Sequence, residues 1–174
     1  TCAQSTDEKT RCWGDTGFLT MADRASNMQR PRPTSAPSLD GAREIVLGLS
    51  HGCARTKEGA VACWGNAIRG LLGDGTLREP SSGGSGGGRV FCTGEYERCV
   101  PTPVAGLRDV VQIAASPSHT CARLAGGTVQ CWGQNDSGQL GDDTTTPRPK
   151  PTPVRGLTDA VEIAAGASHT CARR

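Results

Sequence analysis

The sequence predicts an all-β protein built as a β-propeller, and three observations support this prediction. Its 174 residues include 24 glycines and 11 prolines, which favour turns over long helices. Short apolar runs at residues 44–47, 110–115 and 161–165 lie between turn-forming clusters and indicate strands. The chain also repeats itself roughly every 50 residues, a period typical of propellers, solenoids and arrays. Short strands and glycine-rich turns favour the propeller.

The repeat consists of a Ser-His-Thr-Cys-Ala-Arg segment followed by a Cys-Trp-Gly segment. Its first cysteines, Cys2, Cys53, Cys121 and Cys171, are 51, 68 and 50 positions apart. We therefore divide the chain into a first repeat (1–52), a second (53–120) with an insertion at 77–100, a third (121–170) and the start of a fourth (171–174). Because propellers close with about four to eight blades, three repeats predict an incomplete ring, and we expect a piece of a longer protein.

Six of the nine cysteines form three pairs, each with a spacing of ten residues across a predicted hairpin. With a turn centred on Gly126, Arg123 faces Val129 and the two cysteines of that hairpin face each other. Opposed residues lie close enough for a disulfide, and each bridge closes a loop of about 11 residues, worth roughly 3 kcal/mol. The pairs are Cys2 with Cys12, Cys53 with Cys63, and Cys121 with Cys131.

Zinc and a reduced cytosolic form are the alternatives to these disulfides. Structural zinc sites use cysteines about two to four residues apart, so the observed spacing argues against zinc. Paired cysteines at a fixed spacing are typical of an oxidising compartment, which argues against the reduced form. We predict a fourth disulfide between Cys92 and Cys99 in the insertion, an unpaired Cys171, and no metal site.

The order of these motifs resembles the regulator-of-chromosome-condensation repeat, in the cysteine-containing form found in secreted or surface bacterial proteins. The resemblance implies four-stranded blades, about three in this chain, and a complete ring of usually about seven. The residues that carry it are Gln130–Gly133, Gly138–Asp142, Pro151–Asp159 and Ser168–Ala172, with Gly70–Asp74 and Pro101–Asp109 matching them one unit earlier.

Composition and charge argue against several functions. The net charge is +2, and we interpret the densest basic segment, Arg24–Arg32, as a solvated loop, so we predict no nucleic-acid binding. No apolar run has the length of a membrane span. The Gly83–Gly88 run lacks the ending of a phosphate loop, and we predict no cofactor. Asp142 and Asp143 are interpreted as turn residues rather than calcium ligands.

The histidines and tryptophans recur with the repeat, so we assign them structural roles. We expect the histidines to bond backbone groups between strands and the tryptophans to pack against the disulfides. No constellation of residues indicates a catalytic site, and we predict that the protein is not an enzyme. The residues concerned are His51, His119, His169, Trp13, Trp64 and Trp132.

The insertion is the main departure from the repeat, and it follows a flexible Gly/Ser tether. It contains Phe91, Glu95, Tyr96 and Arg98, and exposed aromatics with arginine are typical interface anchors. We predict that these four residues contact a partner. The alternatives are a decorative loop pinned by its own disulfide, and binding through the loops around Asn135–Gly141.

The predicted function is protein or polymer binding by a secreted or surface propeller, in an extracellular, cell-surface or periplasmic location. The resemblance supports this, since the family includes an extracellular β-lactamase inhibitor that acts by surface contact alone. The alternative that the resemblance implies is guanine-nucleotide exchange on a small GTPase, as in the eukaryotic founding member. The open blade edges also predict self-association.

Overall fold

The computed structural model describes residues 1–15, 29–79 and 97–174, which form thirteen strands and a 3₁₀ turn at Pro37–Leu39. The strands are β1 (Cys2–Gln4), β2 (Thr10–Asp15), β3 (Gln29–Ser35), β4 (Glu44–Leu47), β5 (His51–Arg55), β6 (Val61–Asn66), β7 (Glu97–Pro103), β8 (Val110–Ala115), β9 (His119–Leu124), β10 (Val129–Gly133), β11 (Arg148–Pro153), β12 (Glu162–Ala165) and β13 (Thr170–Arg173).

These strands pair into four antiparallel sheets. We call β1–β3 the first blade, β4–β7 the second, β8–β11 the third, and β12–β13 the fourth. The second and third blades have four strands each, which confirms the predicted all-β propeller architecture. The second, third and fourth blades each begin one strand before their first cysteine, whereas the described part of the first blade begins with the strand that contains Cys2. A repeat counted from its first cysteine therefore starts inside one blade and ends in the second strand of the next.

The hairpin register follows the cysteine spacing. In the third blade Arg123 pairs with Val129, and Cys121 pairs with Cys131, as the sequence predicts. The same register holds in the first and second blades. The pairing then shifts by two residues after the Cys-Trp pair: in the third blade Cys131 pairs with Thr152, but Gly133 pairs with Arg148. Gly133 has a φ of 106°, and a Cβ there would lie 2.8 Å from the carbonyl oxygen of Ser118, so the position requires glycine.

The apolar core lies between consecutive blades. One cluster joins the second-blade disulfide and Leu72 to Trp132 and Ile113 of the third blade. A second joins the third-blade disulfide to the fourth blade, and a third joins the first blade to Trp64. Trp64 and Trp132 therefore pack into the preceding blade, in clusters that contain that blade's cysteines. Neighbouring blades therefore stabilise one another through these shared apolar contacts, as expected of a repeat protein.

The interpretation of Arg24–Arg32 as a solvated loop is wrong for its C-terminal part. Arg30 and Arg32 lie in β3, which pairs with β2, and the rest of the segment lies outside the described residues. The missed signal is the Pro33-Thr34 step, because Pro-Thr also marks β7 and β11, the last strands of their blades. Proline is tolerated there because one side of an edge strand needs no hydrogen-bond donors.

Candidate functional site

Two of the repeated histidines connect neighbouring blades. His51 Nε2 of the second blade lies 2.8 Å from Thr120 Oγ1 of the third. One repeat later, His119 Nε2 lies 2.9 Å from Thr170 Oγ1 of the fourth. Both imidazoles are buried. The structural role predicted for them is confirmed, but the partner is a threonine hydroxyl on the next blade rather than a backbone group.

The surrounding bonds define the proton positions at His119. Thr170 Oγ1 donates to the carbonyl oxygen of Gln139 at 2.8 Å, so it accepts the bond from His119 Nε2–H. Ser116 Oγ lies 2.7 Å from the other ring nitrogen, Nδ1. Gly48 occupies the position of Ser116 one repeat earlier, and His51 Nδ1 is buried with no hydrogen-bond partner among the described residues.

Burial keeps both imidazoles neutral. Desolvation, with a smaller contribution from the positive charge that His119 would carry, lowers the pKa of His51 to about 4. Desolvation likewise lowers the pKa of His119 to about 4, with a smaller contribution from His169. A neutral imidazole with one donor and one acceptor suits a fixed blade-to-blade bond.

A second repeated contact joins the first strands of successive blades, β4 with β8 and β8 with β12. Gln112 Oε1 accepts from Ile163 N at 3.0 Å, and Gln112 Nε2 donates to Ile163 O at 3.0 Å. One repeat earlier, Glu44 Oε2 accepts from Ile113 N at 3.0 Å and from Arg55 Nε at 3.1 Å. The same side-chain position thus bonds the backbone of the next blade in both cases.

The loop around Asn135 is internally bonded. The Asn135 side chain is fully buried; its Nδ2 donates to Asp142 Oδ1 at 3.0 Å, and its Oδ1 accepts from Leu140 N at 3.0 Å. Burial would raise the pKa of Asp142, but bonds from Thr144, Arg148 and Asn135 outweigh it and lower the pKa to about 2. The carboxylate of Asp142 therefore accepts hydrogen bonds from within its own loop and stabilises it. Because Gln139 is also buried, the side chains of Asn135 and Gln139 are not available to a partner.

Arg98, predicted as a partner contact, occupies a repeated position. It pairs with Gly65 in the second blade, as Arg148 pairs with Gly133 in the third. Arg98 Nε lies 3.6 Å from Asp74 Oδ2, and Arg148 Nε lies 2.6 Å from Asp142 Oδ2. The signal that would have found this is the arginine three residues before each Pro-Thr pair. The side chain of Arg98 is one-third exposed, and its contact with Asp74 anchors the C-terminal end of the insertion to its own blade.

The other predicted partner-binding residues, Phe91, Glu95 and Tyr96, lie outside the described residues, as does Cys92. The described residues on either side of this segment expose apolar side chains. Leu77 is 50% exposed and Val100 is 64% exposed. Leu77 and Val100 thus expose apolar area at the two ends of the insertion.

The predicted cysteine pairs of the three hairpins are brought together. Disulfides join Cys2 to Cys12, Cys53 to Cys63 and Cys121 to Cys131, each with a Cα–Cα distance of 4.1 Å. Cys171 is free and exposed. The side chain of Cys99 and the whole of Cys92 fall outside the described part of the chain, so their predicted bridge stays a prediction.

Two absences apply to residues 1–15, 29–79 and 97–174. We find no group of three or more His, Cys, Asp or Glu side chains placed to hold a metal ion. Nor does any helix in these ranges have the length and apolarity that crossing a membrane requires.

A family model decides the classification. The model described as "Regulator of chromosome condensation (RCC1) repeat" matches residues 58–123 and 126–173. The chain belongs to the RCC1 repeat family. A second model of the same description matches residues 110–139, which include the His119 and Trp132 motifs. The RCC1 repeat predicted from the sequence is confirmed.

Two plant proteins illustrate the relationship. The chain is 33% identical over 122 residues to the RCC1 domain-containing protein RUG3, mitochondrial, of Arabidopsis thaliana, which covers 68% of this chain and 23% of that protein. It is 31% identical over 139 residues to the ultraviolet-B receptor UVR8 of the same plant, covering 78% and 27%. The chain therefore spans about a quarter of the length of these RCC1-repeat relatives.

Solved structures share the fold. Human WBSCR16 superposes with a TM-score of 0.76 at 24% identity, over 98% of this chain and 41% of that one. Yeast RCC1 (Prp20), in its structure bound to Kap60, superposes with a TM-score of 0.74 at 15% identity, over 97% and 38%. RCC1-repeat propellers are mostly regulatory or binding proteins rather than catalysts.

Proposed function

We propose that this chain is part of a non-enzymatic binding propeller of an oxidising compartment, extracellular, at the cell surface or periplasmic, that contacts a protein or polymer partner through its insertion. The insertion interrupts the second repeat between Asp74 and Arg98, whereas in the third repeat only residues 143–147 separate the matching Asp142 and Arg148. This observation carries the proposal, because the paired residues at both ends keep their structural contact and the segment between them is left without a repeated role.

The surface around the insertion supports a binding role. Leu77 and Val100 expose apolar area at its two ends. The segment itself supplies Phe91, Glu95 and Tyr96. Aromatic and arginine side chains provide much of the energy of protein interfaces. By contrast, the side chains of His51 and Asn135 form hydrogen bonds inside the protein, to Thr120 and Asp142.

The disulfides favour this function over nucleotide exchange on a small GTPase. One yeast relative of the fold, Prp20p, is described by its binding to Gsp1p and histones. For this chain, a cytosolic or nuclear exchange factor would keep its cysteines reduced. The three hairpin pairs instead support residence in an oxidising compartment. The near-neutral charge likewise supports a partner other than nucleic acid.

Loop replacement tests the proposal with a control from within the chain. Residues 75–97 are replaced by residues 143–147, so that Asp74 and Arg98 are joined as Asp142 and Arg148 are. Affinity capture from the medium of the source cells then compares the two proteins. We expect the replacement to keep its melting temperature within a few degrees and to lose the specific partner.

Point variants separate the aromatic residues from the backbone change. Phe91→Ser with Tyr96→Ser should reduce partner recovery, because both anchors are removed. Leu49→Ser, at an apolar residue that is 72% exposed in the same blade, is the matched control and should not. Full partner recovery by the loop replacement would show that the insertion is not the binding surface.

A further inference from the structure

Asn135 begins the only Asn-X-Ser/Thr triplet in the sequence, Asn135-Asp136-Ser137. This triplet is the acceptor for asparagine-linked glycans, which are attached to the side-chain nitrogen Nδ2. In secreted proteins such acceptors lie on surface loops, because the glycan is bulky and polar. The other two asparagines, Asn27 and Asn66, are not followed two positions later by serine or threonine. The sequence therefore contains one candidate glycosylation site.

The fold closes this site. The Asn135 side chain is 0% exposed, and its Nδ2 lies 3.0 Å from Asp142 Oδ1. The same nitrogen lies 3.0 and 3.1 Å from the carbonyl oxygens of Thr144 and Thr146. An amide nitrogen has only two hydrogens to donate, so these acceptors use its full capacity. A glycan on Nδ2 would remove one of these hydrogens and place a sugar where the acceptors lie. The folded third blade therefore cannot carry a glycan at Asn135.

The fold has its own use for asparagine at this position. Only residues 143–147 separate Asp142 from Arg148, and Asn135 Nδ2 bonds the backbone of this short connection twice. In the second blade, where the insertion takes the place of the short connection, the matching residue is Ala67. The amide of Asn135 thus closes the short connection, and this role explains the residue without a glycan.

The last residue of the triplet has no such use. Ser137 is exposed, and its hydroxyl group forms no hydrogen bond with any other described residue. Its backbone N–H donates to Gln139 Oε1 at 2.9 Å, which any residue except proline could do. The matching residue in the second blade is Arg69. Replacing Ser137 would therefore remove the acceptor triplet and leave the fold intact, so the fold does not account for the triplet.

We propose that Asn135 accepts a glycan only before the third blade folds, and that the chain matures in an oxidising compartment without asparagine glycosylation. In the eukaryotic secretory pathway the glycan is transferred to the unfolded chain as it enters, when Asn135 is still accessible. The modified asparagine could then no longer close its loop. This inference rests on the proposed function and narrows its compartment to one outside that pathway.

Export of the same chain by two routes tests the proposal. From a eukaryotic secretory pathway we expect a glycan on Asn135, detected by mass spectrometry, and loss of the cooperative melting transition in the glycosylated fraction. From a bacterial periplasm without a glycosylating enzyme we expect an unmodified chain that melts cooperatively and contains the Cys121–Cys131 disulfide. Ser137→Ala should restore cooperative melting to the product of the eukaryotic pathway.

A glycan on an exposed turn is the matched control. Glu58→Asn with Ala60→Thr, added to Ser137→Ala, moves the acceptor triplet to the hairpin turn of the second blade, where both replaced residues are exposed. This variant should carry a glycan and still melt cooperatively. Its behaviour separates the position of the glycan from a general effect of glycosylation on folding.

The protein isolated from its source should contain unmodified Asn135. The proposal is overturned by a glycan at Asn135 in that protein, or by a glycosylated chain that melts like the unmodified one. It is also overturned if the eukaryotic pathway yields a folded chain without the glycan, or if the control variant does not melt cooperatively. Reduced hairpin cysteines in an unglycosylated source protein would contradict the proposed function but not the assignment of Asn135.

Discussion

His51 Nε2 lies 2.8 Å from Thr120 Oγ1, and this bond crosses from the second blade to the third. The two residues are 69 positions apart in the chain, and both are buried. His119 and Thr170 repeat the relationship one blade on. Two buried, neutral imidazoles thus help to hold neighbouring blades together. To take up a proton, either imidazole would have to leave its buried site.

Acid should therefore destabilise the fold through its histidines. The pKa of His51 and of His119 is lowered from 6.5 to about 4, so the unfolded chain binds more protons than the folded one between these values. The free energy of unfolding should accordingly fall as the pH drops from 6.5 toward 4, by roughly 3 kcal/mol per histidine at the limit.

Melting curves between pH 7.5 and 4.5 measure this effect, above the range in which Asp142, with a pKa of about 2, takes up its proton. His51→Gln should lower the melting temperature at pH 7.5 and flatten its decline with pH. Gln4→Ala, at an exposed residue of the first blade, should leave the decline unchanged. A decline that persists in full when both His51 and His119 are replaced would assign it to other groups.

Gln112 should be a principal link between the third and fourth blades. Gln112→Leu leaves the backbone N–H and C=O of Ile163 without their hydrogen-bond partners. This should lower the free energy of unfolding by about 1–3 kcal/mol. Gln112→Glu keeps the acceptor for Ile163 N and loses only the donor, as Glu44 does naturally one repeat earlier, so its cost should be smaller. Denaturant unfolding measures both, with exposed Gln4→Ala as the control. Equal costs for the two Gln112 variants would contradict the bidentate role.

Arg98 should matter for stability rather than for recognition. Its contact with Asp74 is longer than the contact of Arg148 with Asp142. Arg148→Ala should lower the free energy of unfolding by about 1–3 kcal/mol, and Arg98→Ala should lower it by less. Thermal melting and partner capture on the same two variants separate the roles. A loss of partner binding by Arg98→Ala without any change in melting temperature would make Arg98 a contact residue after all.

Local patterns in the sequence predict the elements that depend on local spacing. The strand at residues 44–47, the strand at 110–115 and the register of Cys121 with Cys131 follow from apolar runs and from a ten-residue spacing. The links between blades could not be predicted in this way. His51 meets Thr120, and Gln112 meets Ile163, only because successive blades stack, and no short-range pattern reports the distance between blades.

Repeat position also separates Arg98 from its neighbours. Sequence analysis grouped it with Phe91 and Tyr96 because it is close to them in the chain, whereas the sheet register groups it with Arg148. Comparing each residue with its equivalents in the other repeats would have made this distinction from the sequence.

The arrangement of the cysteines tests the central claim that these blades are cross-linked one by one in an oxidising compartment. The measurement is peptide mapping, without reduction, of protein isolated from its source after free thiols are blocked. The account predicts linked peptides for Cys2–Cys12, Cys53–Cys63, Cys121–Cys131 and Cys92–Cys99, with Cys171 blocked as a free thiol. Free thiols at the hairpin cysteines, or a predominant link between repeats such as Cys12 with Cys53, would contradict it.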